Sequence, residues 1–113
     1  MARKKYSSEV NSIINQYATE VEKIFPIEHI FVFGSAARGT MTKDSDIDLI
    51  IISKRFEKVN FMRRLELLSR ASFVCANRAA LDVVGYTPKE FLEMDAVDSP
   101  MIKKIKREGY FVR

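Results

Sequence analysis

The segment of residues 31–52, FVFGSAARGTMTKDSDIDLIII, constrains the fold more than any other part of this chain. It places two short apolar runs, rich in β-branched and aromatic residues, on either side of a polar stretch. Such runs are typical of buried strands. The polar stretch contains Gly34 and ends in the pair Asp46 and Asp48. Carboxylates beside a buried strand are costly without a partner, so the segment predicts both a sheet and a site at its edge.

Periodic patterns outside this segment predict helices that pack on the sheet. Apolar residues recur with helical spacing over residues 10–25, and Pro26 ends that helix because it disfavours helical geometry at the residue before it. The other predicted elements are strands at 29–33, 46–52 and 80–86, a helix at 58–78, helices that begin after Thr87 and Ser99, and a short edge strand at 110–112. The predicted fold class is α/β (α+β), a small mixed or antiparallel sheet of three to four strands with helices packed on it.

Length and composition restrict the class of protein. The chain has 113 residues, of which 47% are apolar, and this suits a single domain over residues 1–113 with a buried core. There is no apolar run long enough for a membrane span, no secretory signal, and only one cysteine, Cys75. We therefore expect a cytoplasmic protein. The net charge of +4 could attract a nucleotide or a nucleic acid, or could belong to a solvated surface.

Asp46 and Asp48 are the strongest candidates for a chemical role. Residues i and i+2 of a strand point to the same face, so the two carboxylates would repel each other unless a cation lies between them. A hard divalent ion such as Mg²⁺, bound by carboxylates and substrate phosphates, fits this pattern. Asp82 in the third strand could join the site, hold a second ion with them and accept a proton from an attacking hydroxyl. The alternative is that all three are ordinary acids of a solvated turn and a strand.

The stretch GSAARG supplies a second half of the candidate site. Gly34 would allow a ligand to approach the backbone, and residues 35–38 could open a short helix whose N–H groups attract phosphate. Ser35 adds a hydroxyl and Arg38 a cation, although Arg38 could equally form a surface salt bridge. Ser45 is a further candidate for nucleotide binding, and its alternative role is to cap the turn before the strand.

These residues resemble the signature of a known family. Gly34-Ser35, ten intervening residues and then Asp46-Ile47-Asp48, followed later by Asp82, resemble the polymerase-beta-type nucleotidyltransferases. The fuller FGSAARG and SDIDLII are similar to the small prokaryotic branch, the minimal nucleotidyltransferases. The resemblance implies that Gly34 and Ser35 contact a triphosphate and that the three aspartates bind Mg²⁺. The implied reaction transfers a nucleoside monophosphate, AMP from ATP in the leading hypothesis, to an acceptor and releases pyrophosphate.

The resemblance also implies a partner. Larger members of the family carry a second helical domain that holds the acceptor, and we expect a partner chain to take that part here. Minimal nucleotidyltransferases are often paired with a small helical HEPN protein, as the antitoxin of a toxin–antitoxin pair, and the antitoxin adenylylates its toxin. A homodimer is a further option. Two alternatives stay open, namely transfer of a nucleotide to a small molecule such as an antibiotic, and a non-catalytic module that neutralises a partner by binding it.

Overall fold

The computed structural model describes residues 8–42, 45–75 and 81–113. Helices and strands alternate along most of this length, as the periodic patterns predict. Their bounds, in chain order, are α1 Ser8–Glu22, β1 His29–Phe33, α2 Gly34–Arg38, β2 Ile47–Ile52, α3 Phe61–Cys75, β3 Leu81–Tyr86, α4 Pro88–Glu93, α5 Pro100–Glu108 and β4 Tyr110–Phe111. Short 3₁₀ turns lie at Lys54–Lys58 and Met94–Ala96. Among the described helices, none is both long and apolar enough to cross a membrane.

The four strands form one mixed sheet in the order β3-β2-β1-β4. β1 runs antiparallel to β2 and to β4, whereas β2 and β3 run parallel and are joined through α3. In this register Asp48 of β2 lies between Phe33 of β1 and Asp82 of β3. The predicted fold class is confirmed, and the short strand expected near the C-terminus forms at the sheet edge.

Alternate residues of β2 contribute to cores on opposite faces of the sheet. Leu49 and Ile51 belong to the larger core, which α1 and α3 cover. Ile50 and Ile52 belong to a smaller core, which α4 helps to cover. This two-sided burial explains why the second half of β2 is continuously apolar. Since Asp48 is two residues before Ile50, its side chain lies on the smaller-core face, at the end of the strand where that core stops.

Three element boundaries differ from the predicted ones. α1 ends at Glu22 rather than near Phe25, because the chain already turns ahead of Pro26. α3 begins at Phe61 rather than at 58, because the side chain of Asn60 accepts a hydrogen bond from the Arg63 N–H and caps the helix start. β2 begins at Ile47, so Asp46 lies just before the strand. The predicted helix residues 76–78 and strand residue 80 lie outside the described part of the chain.

The buried side of α3 differs from the stripe that helical spacing predicts. Spacing places Met62, Leu65 and Leu68 in the core or at a subunit interface. Leu68 is buried, but Met62 is 71% exposed. The buried side of the helix instead runs through Arg64, Leu68 and Ala71. An arginine replaces an expected apolar residue here because its guanidinium group is fully hydrogen-bonded inside the protein.

Candidate active site

The predicted site residues gather at one edge of the sheet, where β1 ends and where β2 and β3 begin. Because β1 is antiparallel to β2, Gly34 directly follows the β1 residue that pairs with Asp48. Because β2 is parallel to β3, Asp82 lies opposite Asp48 in register. Asp46 immediately precedes β2 and is exposed. The topology therefore brings the glycine turn and the aspartates together, although they are far apart in sequence.

Gly34 and Asp48 are in close contact. Gly34 has a φ of 71°, a conformation that side chains other than glycine rarely adopt. A Cβ at this position would also overlap Oδ2 of Asp48. The glycine is therefore required twice, for the backbone turn that starts α2 and for the space that the Asp48 carboxylate occupies.

Asp48 is electrostatically unfavourable as a charged group. Burial raises its pKa to about 6, and the neighbouring carboxylates of Asp82 and Asp46 add to the rise. A hydrogen bond with the Asp82 side chain acts in the same direction, while the positive charge of Arg38 opposes it. Asp48 therefore holds a proton at a pH where an isolated aspartate would be ionised. A cation placed where that proton lies would relieve the same repulsion.

The donor set suits a hard divalent ion in its chemistry. Three carboxylates offer the oxygen ligands that Mg²⁺ prefers, and substrate phosphates commonly complete such a site. Within the described part of the chain, however, no three His, Cys, Asp or Glu side chains stand close enough together to hold one ion. Asp48 and Asp82 are the two paired carboxylates of the candidate site, and a metal-binding role for the exposed Asp46 stays a prediction.

The start of α2 lies beside this pair. Among the described residues no side chain caps that end of the helix, and the Ser35 hydroxyl has no hydrogen-bond partner. The backbone carbonyl of Ser35 accepts hydrogen bonds from the N–H groups of Gly39 and Thr40, which close the short helix. Gly39 takes the left-handed conformation that ends it, with a φ of 75°. A contact of the Ser35 hydroxyl with a triphosphate stays a prediction.

Arg38 and Ser45 have protein partners in this structure. Nη1 of Arg38 donates to Oε1 of Glu108 at 3.3 Å, so the predicted surface salt bridge is present. The Ser45 hydroxyl accepts a hydrogen bond of 2.9 Å from the Thr42 N–H, which agrees with a role in capping the turn. A nucleotide contact by either side chain stays a prediction. Sequence analysis missed Glu108, because it lies 70 residues from Arg38 and no local pattern connects the two.

The chain is similar to known proteins in its match to a family model, in its sequence and in its structure. Residues 14–109 match the family model described as a nucleotidyltransferase domain. The matched range includes the glycine turn, the three aspartates and α5. It thus covers every element that forms the candidate site.

Two sequence relatives come from Methanocaldococcus jannaschii, and both carry the name protein adenylyltransferase. MJ0126 is 32% identical over 63 residues, which cover 56% of this chain and 62% of that protein. MJ0128 is 26% identical over 100 residues, which cover 88% of this chain and 90% of that protein. The match to MJ0126 therefore spans less than two thirds of that relative.

Two solved structures share the fold. A protein of Sulfolobus solfataricus described as a nucleotidyltransferase superposes with a TM-score of 0.53 at 25% identity, over 97% of this chain and 90% of that one. A chain of a toxin–antitoxin complex solved with AMP-PNP superposes with a TM-score of 0.56 at 17% identity, over 88% of this chain and 71% of that one. The second likeness concerns the fold alone.

Proposed function

This chain belongs to the nucleotidyltransferase domain family, and we propose that it transfers AMP from ATP to a hydroxyl group of a partner protein in a Mg²⁺-dependent reaction. One observation carries the proposal: Asp48 and Asp82 are paired in register on neighbouring strands, with the Gly34 turn packed against Asp48. The pairing places oxygen ligands beside an uncapped helix start, which suits a metal-bound triphosphate. Residues 1–113 would act as one catalytic domain.

The roles of the residues follow from their positions. Asp46, Asp48 and Asp82 would hold the metal, and two ions would stabilise the attacking and leaving oxygens of an in-line displacement. Ser35 and the Gly34 backbone would contact the triphosphate, with Arg38 and Ser45 as further nucleotide contacts. Asp82 is exposed at the sheet edge, where it could accept the proton of the attacking hydroxyl. The new bond joins that oxygen to the α-phosphorus, and pyrophosphate leaves.

The identity of the acceptor is the more specific part of the proposal. Both relatives described above are named protein adenylyltransferases, which favours a protein acceptor over a small molecule. The toxin–antitoxin structure with AMP-PNP supports a toxin of a gene pair as that protein, in agreement with the HEPN-type partner expected from the sequence. We therefore propose the antitoxin role, in the cytoplasm, where ATP is available.

Transfer of label from the α-phosphate of ATP tests this function. The purified chain is mixed with Mg²⁺, ATP labelled at the α-phosphate and the candidate partner, a small helical protein that we expect the adjacent gene to encode. The wild-type chain should label the helical protein, and Asp46→Asn should reduce labelling at least 100-fold, since removing a metal ligand removes transition-state stabilisation. Asp98→Asn is the matched control, because Asp98 is an exposed acid paired with Lys103 away from the site.

The outcomes separate the competing functions. Labelling that Asp46→Asn leaves undiminished would refute the assignment of the site. Transfer of label to a small hydroxylated acceptor, added in a reaction without the partner protein, would favour the small-molecule transferase. Neutralisation of the partner in cells by a variant with all three aspartates replaced by asparagine would favour a module that acts by binding alone.

A further inference from the structure

We propose that Glu108, the last residue of α5, is a positioning residue that holds Arg38 toward the nucleotide phosphates. The proposal rests on the function proposed above and makes the C-terminal helix part of the nucleotide site. Its first observation is the ion pair itself, in which Nη1 of Arg38 lies 3.3 Å from Oε1 of Glu108. The two side chains are 70 residues apart in the sequence and meet on the surface near the glycine turn.

Arg38 is close enough to the site to contact a bound triphosphate. It is the last residue of α2, and the first residue of that helix, Gly34, packs against Asp48. Five helical residues span only about 6 Å along the axis. An arginine side chain is longer than that distance, so its guanidinium group can reach phosphates held at the start of α2.

The ion pair leaves Arg38 able to bind phosphate. A guanidinium group has five N–H donors, and the contact with Glu108 uses one of them. In the described part of the chain, Arg38 donates no other hydrogen bond. The Arg38 side chain is 41% exposed, so the guanidinium group is accessible from solvent. Glu108 can therefore orient Arg38 while leaving other N–H donors of the guanidinium group for a phosphate. This arrangement suits a residue that positions Arg38 better than one that competes with phosphate for it.

Glu108 is supplied from a rigid position. The next residue, Gly109, packs so closely on β1 that a Cβ there would overlap the Phe31 ring and the Val32 carbonyl. The Gly109 N–H also donates to the carbonyl of Ile105, which fixes the end of α5. Because α5 ends against the sheet in this way, the backbone from which the Glu108 side chain reaches Arg38 has a defined place.

Ordering a long side chain before binding lowers the cost of binding. An arginine loses rotamer freedom when it contacts a phosphate, and a contact that already restricts it reduces that loss. Simple charge repulsion predicts the opposite effect, because a carboxylate near a triphosphate should weaken binding. The sign of the change in ATP affinity on neutralising Glu108 therefore decides between positioning and repulsion.

A double-mutant cycle on ATP affinity tests the proposal. The dissociation constant of ATP with Mg²⁺ is measured by calorimetry for wild type, Glu108→Gln, Arg38→Ala and the double variant. Glu108→Gln should raise the constant about threefold to tenfold. In the Arg38→Ala background the same change should have no effect, because Glu108 acts only through Arg38. Adenosine, which lacks phosphates, should bind Glu108→Gln and wild type equally.

Two controls keep a structural effect apart from positioning. Exposed ion pairs contribute little to stability, so the melting temperature of Glu108→Gln should match that of wild type. Asp98→Asn removes an acid from the other end of α5 and should leave the ATP constant unchanged. Unchanged or tighter ATP binding by Glu108→Gln, or an equal loss in the Arg38→Ala background, would overturn the inference and leave the proposed function standing. A wild-type chain that binds no ATP would overturn both.

Discussion

Asp48 lies in a position that suits a bound cation but disfavours its own negative charge when no cation is bound. Its carboxylate packs against the Gly34 backbone, pairs with Asp82 and lies near Asp46. Each neighbour belongs to the proposed metal-nucleotide site, yet the two carboxylates and the burial disfavour the charged form of Asp48 in the free protein. Asp48 is therefore a residue that costs stability in the absence of its ligand, as is common where function and folding place different requirements on one side chain.

Replacing Asp48 by asparagine should stabilise the free protein at neutral pH. The folded pKa of about 6 is above the usual 3.8. A raised carboxyl pKa gives stability that is present below pH 4 and is lost as the pH rises through 6. Asp48→Asn should avoid that loss, by about 1 kcal/mol after discounting for its partial exposure, or a rise of about 4 °C in melting temperature. Thermal melts of both proteins from pH 4.5 to 7.5 measure this.

The difference between the two proteins should shrink toward pH 4.5, where Asp48 of the wild type is protonated. Addition of Mg²⁺ should raise the melting temperature of wild type at pH 7 and leave that of Asp48→Asn unchanged, because ligand binding stabilises only a folded state that binds it. Equal melting temperatures at pH 7 without Mg²⁺ would contradict this account of Asp48.

At the residue scale, the sequence predicted which residues belong to the candidate site better than it predicted which of them are in contact. The spacing of Gly34-Ser35 and Asp46-Asp48 identified the site because each belongs to a local turn or strand end. The pairing of Asp48 with Asp82 depends on the register of two parallel strands joined through α3, which local patterns do not determine. The contact between Arg38 and Glu108 depends on tertiary packing and left no local signal.

At the scale of elements, the buried side chain of Arg64 connects several parts of the structure. Its guanidinium group donates to the backbone carbonyls of Val59, Gly85 and Phe56 and to both carboxylate oxygens of Glu90. Glu90 also completes the capping box with Thr87 at the start of α4. Arg64 thus joins α3, the 3₁₀ turn, β3 and α4.

Loss of Arg64 should destabilise the protein strongly. Arg64→Leu would remove the Arg64 hydrogen bonds to three backbone carbonyls and the charged partner of Glu90. We expect this to cost about 3–5 kcal/mol in the free energy of unfolding. Arg63→Leu is the matched control, since Arg63 pairs with Glu66 on the exposed side of the same helix, and it should cost less than about 1 kcal/mol. Urea unfolding of both variants measures the difference. Equal stability of the two variants would show that the buried network contributes nothing particular.

The sequence predicted this part of the fold incompletely. The sequence TPKE, residues 87–90, predicts the capping box of α4, and the structure confirms it. This prediction succeeds because both hydrogen bonds join residues that are three apart in the sequence. The same helical spacing that located α3 placed Met62 in the core or at a subunit interface. Met62 is not in the core, and Arg64 takes the buried side. A search for apolar periodicity treats arginine as polar and places it on the exposed side of a helix. It cannot predict that the guanidinium group of Arg64 finds hydrogen-bond acceptors in three other elements.

At the scale of the whole molecule, helices cover both faces of the sheet. The candidate site lies at the end of the sheet where β1 ends and where β2 and β3 begin. The order β3-β2-β1-β4 puts β2 in the interior of the sheet, so the strand that begins between Asp46 and Asp48 is anchored on both sides. The element order and the mixed sheet followed from the sequence, since hydrophobic periods fix element type. The strand order required the structure, because β4 joins β1 from the far end of the chain.

The basic residues of α5 take a definite place in the molecule. Lys106 pairs with Asp95 and lies 3.9 Å from the centre of the Phe91 ring, and Lys103 pairs with Asp98. Part of the positive charge that suggested attraction to nucleic acid is therefore engaged in the fold. These contacts favour the interpretation of this end of the chain as a solvated surface.

The position of the transferred label tests the central claim most directly, because it distinguishes nucleotidyl transfer from phosphoryl transfer at the same site. Parallel reactions contain the wild-type chain, its partner protein, Mg²⁺ and ATP labelled either at the α-phosphate or at the γ-phosphate. We predict that the partner gains the α label and not the γ label, since the bond broken lies between the α- and β-phosphates. A partner that gains the γ label, or that gains the α label equally from Asp46→Asn, would contradict the claim.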